Sequence, residues 1–167
     1  MMTEQDLRGW FAGRIPGDWF TGAPGMTIDR DEILIVGTLA DVEAGEGVSV
    51  AAARAGRIKQ FREDTREARI KIAREAEHRF GRKVSWGATA GDRTEIFTSA
   101  AVPHMTRLRM SERKVLDTLV ESGIARSRSD ALAWCVRLVG TKQKEWLDDL
   151  REALQSVEAV REAGPSL

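Results

Sequence analysis

The sequence predicts an α+β protein. Residues 1–103 read as an α-ββ-α-ββ domain with a long basic helix, and residues 104–140 as a strand–helix–helix unit, followed over 141–167 by a further amphipathic helix and a loose tail. Three observations predict it. Two pairs of short strand-like runs, at 26–40 and 83–99, each fold back at a polar turn in the manner of hairpins. Between them, residues 50–80 keep a helical period throughout. Beyond Pro103 the period changes, from two at 106–110 to three or four further on.

Thr3 is placed to cap a first helix running to about Arg14, with Leu7, Trp10 and Phe11 on one face. Pro16, Gly17, Gly22, Pro24 and Gly25 then break regular structure. Residues 26–29 and 32–40 form a hairpin around Arg30 and Asp31. The second of these strands, EILIVGTLA, is continuously apolar, as expected of a central strand covered on both faces. Ser49 caps the helix over 50–80, which Gly81 closes, and Ile58, Phe61, Ile72, Ala76 and Phe80 lie on its apolar stripe. Residues 83–89 and 94–99 alternate around Ala90, Gly91 and Asp92 as a second hairpin. The expected product is an antiparallel sheet covered by one long helix.

In the C-terminal part, Thr106, Leu108 and Met110 point one way and Met105, Arg107 and Arg109 the other. Ser111 offers an N-cap, Val115, Leu116, Leu119 and Val120 recur at helical spacing, and Gly123 ends that helix. Ser127 caps the next one, with Asp130 three residues on, and Leu132, Cys135, Val136 and Val139 give it an apolar stripe. So small a unit has a strand with two unpaired edges and helices that bury little. Two copies resolve this by pairing their strands antiparallel. The resulting ribbon carries its outward arginines twice and fits the major groove of DNA, where Arg bonds guanine O6 and N7.

These residues, TRLRM followed by SERKVLDTLVESGIARSRSDALAWCVRLV, resemble the ribbon-helix-helix superfamily of Arc, MetJ and CopG-type repressors and antitoxins. The resemblance covers residues 104–139 and leaves the N-terminal domain unassigned. It implies an obligate homodimer whose core draws on Leu108, Met110, Leu116, Leu119, Leu132 and Val136. It implies base reading by Met105, Arg107 and Arg109, and phosphate binding around Ser127, Arg128 and Ser129, where a helix N-terminus also favours anions. Trp134 stands where that family carries an exposed polar residue, so its ring is expected to be covered, by the C-terminal helix or by residues 1–100.

With 42% hydrophobic and 31% charged residues among 167, the composition is that of a folded, water-exposed protein. The first residues carry Glu4 and Asp6 and no apolar core of a signal peptide, and no apolar run is long enough for a membrane. A cytoplasmic, nucleoid-associated location is therefore expected, with no membrane partner. The single Cys135 excludes an internal disulfide framework. Zero net charge conceals opposed segments: −6 over residues 1–48, +6 over 49–83, +3 over 104–128 and −2 over 141–167. Local charge, rather than the total, sets the field that a phosphate backbone meets. Arg54, Arg57, Arg62, Arg66, Arg69 and Arg74 are auxiliary candidates for backbone contacts, against the reading of a solvated face balanced by neighbouring acids.

Chemistry is sparse. His78 lies in a charged helical row and His104 in a joint, no His/Cys set has zinc spacing, and no glycine loop is followed by the Lys-Ser/Thr of a phosphate loop. No catalytic residue, metal or cofactor is expected. After Gly140, where a bend is expected, Trp146, Leu150, Leu154 and Val157 mark an amphipathic helix whose stripe is expected to pack on its own domain. The sequence thus points to a dimeric, sequence-specific DNA-binding protein, a transcriptional repressor or nucleoid-associated regulator. The alternative is an antitoxin-like or scaffolding protein that dimerises through residues 104–140 and meets a protein partner through its N-terminal domain or C-terminal helix.

Overall fold

The computed structural model describes residues 3–43 and 45–164. The chain divides into two compact units, Met1–His104 and Met105–Leu167. It is an α+β protein with one four-stranded sheet and six helices among the described residues.

The first unit opens with α1 (Glu4–Arg14). Thr3 caps it as expected: its hydroxyl accepts from the Asp6 N–H, and the Asp6 carboxylate accepts from the Thr3 N–H. Strands β1 (Gly25–Ile28) and β2 (Glu32–Thr38) pair antiparallel. Asp29 shapes their turn by accepting from the N–H groups of Asp31 and Glu32. Helices α2 (Val50–Asp64) and α3 (Arg66–Phe80) follow, then β3 (Lys83–Ala90) and β4 (Arg93–Ile96), which pair antiparallel.

The sheet order is β1-β2-β3-β4, and its two central strands run parallel. This corrects the expected all-antiparallel sheet. The helical segment between β2 and β3 crosses over the sheet and returns the chain to the end where β2 began, so β3 must run the same way. The single long helix is also corrected, because it breaks at Thr65 (φ −95°, ψ 1°). The Thr65 hydroxyl donates back to the Phe61 carbonyl and accepts from Arg69 Nε, which offers the backbone an alternative to straight helical bonding.

The core lies on one face of the sheet. Ile33 and Ile35 from β2 and Ala88 and Ala90 from β3 are fully buried against Phe11, Ile58, Ile72 and Ala76 of the helices. Leu34 and Val36, on the opposite face of β2, are only half-buried. The expectation that β2 is covered on both faces is therefore met on one. Gly37 is required by a close approach: a Cβ there would stand 2.2 Å from the Phe20 ring. At the β3–β4 turn Gly91 adopts φ +59°, a conformation that L side chains rarely accept.

In the second unit, residues 105–109 form no strand, where the sequence predicts one over 106–110. A strand exists only by pairing, and a single chain supplies no neighbour. Met110 instead opens α4 (Met110–Glu121), so Ser111 lies inside the first turn rather than capping it. Glu112 accepts from the Arg109 N–H in its place. Gly123 (φ +77°) ends the helix, and the N–H groups of Ile124 and Ala125 reach back to the Leu119 carbonyl. Helix α5 (Arg128–Lys142) starts as expected at Ser127, whose hydroxyl accepts from the Asp130 N–H.

The expected bend at Gly140 is absent. The break falls at Gln143 (φ −116°, ψ 29°), where α6 (Lys144–Ala163) begins. Leu116, Ala125 and Ala131 are the buried residues of this unit, with Leu108, Leu119, Val120, Leu132 and Cys135 packed beside them. Met110 and Val136, expected in a dimer core, are 65% and 67% exposed in the single chain. The stripe of α6 does not pack as expected, since none of that helix is buried. No described helix is long and apolar enough to cross a membrane.

Candidate nucleic-acid interface

Residues 105–109 are positioned by one apolar side chain and one arginine. Leu108 turns onto the small core of α4 and α5. Arg113, one turn into α4, donates through Nη1 to the Leu108 carbonyl at 2.7 Å and ties the segment down. Met105 is fully exposed and both arginines are exposed. Thr106, which shares the parity of Leu108, is exposed as well, so the accessible side chains of this segment are not confined to one alternating face. Arg113 is a positioning residue that the sequence did not single out, because its role depends on a carbonyl five positions away.

The second predicted cluster lies at the start of α5. Ser127, Arg128 and Ser129 are exposed there, and the first-turn N–H groups of a helix have no partners within the helix. Arg128 is committed elsewhere: its guanidinium grips Asp117 of α4 with two hydrogen bonds of 2.6 and 2.9 Å. That pairing holds the Asp117 carboxyl below its ordinary value and raises Arg128. Arg126, whose side chain is 95% exposed, is held more loosely, by a single ion pair of 3.7 Å to Asp130. Its signal was present in the run ARSRS. Asp130 lies close by, accepting from the Arg126 N–H, which together with the charges of Arg126 and Arg137 keeps its carboxyl ionised to lower pH than usual.

The Asp117–Arg128 strap has a pH signature. Asp117 has a lowered pKa in the folded chain, so its contribution is complete above the ordinary value of 3.8 and is lost as pH falls through the folded value. Asp117→Asn should therefore lower the thermal midpoint slightly at pH 7, and the gap from wild type should shrink as pH falls below 3.8. A gap that stays constant from pH 7 to pH 2.5 would show that the strap contributes nothing through its charge.

The six auxiliary arginines do not form one surface. Arg54 is clipped to Asp41 by bonds of 2.9 and 2.6 Å and to Asp92 at 2.8 Å. These bonds raise Arg54, and its guanidinium with the Val42 N–H lowers Asp41 to about 2. Arg69 is buried, 4.9 Å over the Phe97 ring, with Thr65 and the Arg62 carbonyl as partners. Burial first, then Arg62 and Arg66, lowers it to about 10. Arg57, Arg62, Arg66 and Arg74 are exposed.

The remaining chemical groups are unremarkable in setting. His78 and His104 are exposed, Cys135 and Trp134 are half-buried, and no described His, Cys, Asp and Glu side chains cluster as a metal site. An apolar, half-open cavity of about 550 Å³ lies between α1 and the loop to β1, lined by Phe11, Ala12, Ile15, Phe20, Pro24 and Met26.

Residues 5–96 match the family model of the Rv1265-like protein N-terminal domain, and residues 109–161 that of the Mb1296 C-terminal domain. Neither is a ribbon-helix-helix model. Residues 97–108, between the two matches, contain the joint between the units. Mb1296 of Mycobacterium bovis and Rv1265 of Mycobacterium tuberculosis, both called uncharacterized proteins, are each 54% identical over 158 residues. That alignment spans 95% of this chain and 70% of each relative. No solved structure matches the chain. With both units matched in order and the alignment running through nearly the whole chain, the protein belongs to the Rv1265-like family.

Proposed function

We propose that the protein binds double-stranded DNA as a homodimer, with Met105, Arg107 and Arg109 reading bases from a two-stranded ribbon, and that it serves as a repressor or nucleoid-associated regulator. The observation that carries the reading is the segment 105–109, where Leu108 packs on the core of α4 and α5 and the two arginines are exposed beside it. The need for a second copy is supported by a core of three buried residues, which is small for an independent unit, and by exposed Met110, Val115, Val136 and Val139 on the same two helices. The start of α5, with Ser127, Ser129 and Arg126, would hold phosphates. The mechanism is contact. The first unit, with its cavity beside α1, would sense a ligand or bind a partner.

The test is a salt titration of the full chain against mixed DNA fragments. Binding that weakens linearly in log–log form, with a slope near −0.9 per phosphate neutralised, is the expected result. Absence of binding at low salt would reject the reading and favour a scaffolding role through a protein partner.

A further inference from the structure

The loop from Pro16 to Pro24 does not fill the space it encloses against α1, and the cavity of about 550 Å³ is the result. That volume falls within the range of about 300–1,000 Å³ usual for small-molecule sites. Its walls are fixed to the sheet. The Phe20 ring lies against the backbone of β2 at Gly37, and Thr21 donates its N–H and its hydroxyl to the Thr38 carbonyl at 2.9 and 3.2 Å. Met26, on β1, is paired with Ile35 of β2. Small residues keep the space open. Gly17 and Gly22 both line it, neither has a positive φ, and a Cβ at either would meet nothing within 4 Å. Neither backbone conformation nor crowding therefore demands glycine there.

The chemistry of the lining selects the ligand. Phe11, Ile15, Phe20, Pro24 and Met26 make it predominantly apolar, and Arg8 is its one charged residue among those described. The charge of Arg8 is already met. Its Nε and Nη2 donate to Glu4 at 2.9 and 2.6 Å, and Nη2 also donates to the Met26 carbonyl at 3.1 Å. A charged ligand would give up water here without gaining an unpaired opposite charge, which is costly. A neutral apolar ligand gains in proportion to the area it removes from water. We infer that this cavity is a binding site for a neutral, largely apolar small molecule. The site gives a ligand class to the first unit and does not depend on whether Arg107 and Arg109 read DNA.

Fluorescence titration of the full chain with phenylnaphthylamine, a neutral apolar dye, tests it. Saturable binding at one site per chain is expected. Ala12→Phe, at an exposed position of the α1 wall, should fill the space and weaken binding about tenfold or more. Gly22→Leu should do the same from the loop wall, so that misfolding of one variant leaves the other to decide. Val136→Glu/Leu154→Glu, which removes apolar surface from the second unit, should leave the affinity unchanged, as should Arg107→Ala/Arg109→Ala, which separates this result from the DNA-binding reading. Anilinonaphthalene sulfonate, a similar body with a negative charge, should bind about tenfold more weakly or worse. Absence of saturable binding, unchanged affinity in a folded Ala12→Phe or Gly22→Leu, loss with Val136→Glu/Leu154→Glu, or equal or tighter binding of the sulfonate would each overturn the inference.

Discussion

Arg107→Ala/Arg109→Ala is expected to reduce binding of a preferred DNA sequence to the level of random DNA. A bidentate arginine–guanine contact discriminates by about 1–3 kcal/mol, and a homodimer carries each arginine twice. Specific binding typically exceeds non-specific binding by about 10³-fold or more, and that margin is what should vanish. Neither arginine has a packed side chain, and the segment is held by Leu108 and Arg113, so the variant should fold as wild type. Fluorescence anisotropy with a selected and a scrambled duplex measures the effect. An unchanged ratio of the two affinities would exclude these residues as the reading element. Phosphate contacts behave differently: Arg126→Ala should weaken both duplexes alike and flatten the salt slope.

Phe11→Ala should be the most damaging single change in the first unit. Phe11 is fully buried, with its ring 4.9 Å from that of Trp10 and 6.1 Å from that of Phe80. Truncating a buried phenylalanine costs about 3–5 kcal/mol, a large part of the roughly 5–15 kcal/mol that holds a typical domain. For a unit of this size the unfolding midpoint should fall by about 12 °C or more. Calorimetry of the full chain reads the shift. A change of a degree or two would show that the α1 face is not the keystone its burial indicates.

Local signals carried much of the fold. Thr3, Ser49 and Ser127 were legible as caps because their partners sit within three residues. The strands were legible because alternation fixes which residues share a face. Direction was not legible, since alternation is the same in parallel and antiparallel strands, and so the β2–β3 pairing was misread. Gly140 misled because a helix tolerates an interior glycine at a cost of about 1 kcal/mol, while Gln143 carries no comparable signal. At the candidate site, exposure of Arg107 and Arg109 followed from their charge rather than from a period of two, since Thr106 and Met110, of the same parity as Leu108, are exposed as well. The engagement of Arg54, Arg69 and Arg128 did not, because their partners lie across turns or under rings that composition does not reveal.

The parallel centre of the sheet also constrains the order of events on the ribosome. β1 and β2 can pair as soon as they emerge, but the inner edge of β2 finds its neighbour only after both crossover helices and β3 have been made. Through that interval EILIVGT presents an unpaired edge of the kind that templates aggregation. The intervening helices are dense in charge of both signs, which keeps the nascent segment hydrated while it waits. Late closure of so non-local a contact makes this unit the slow step in maturation, and the helical hairpin of α4 and α5, built from neighbours in sequence, the fast one.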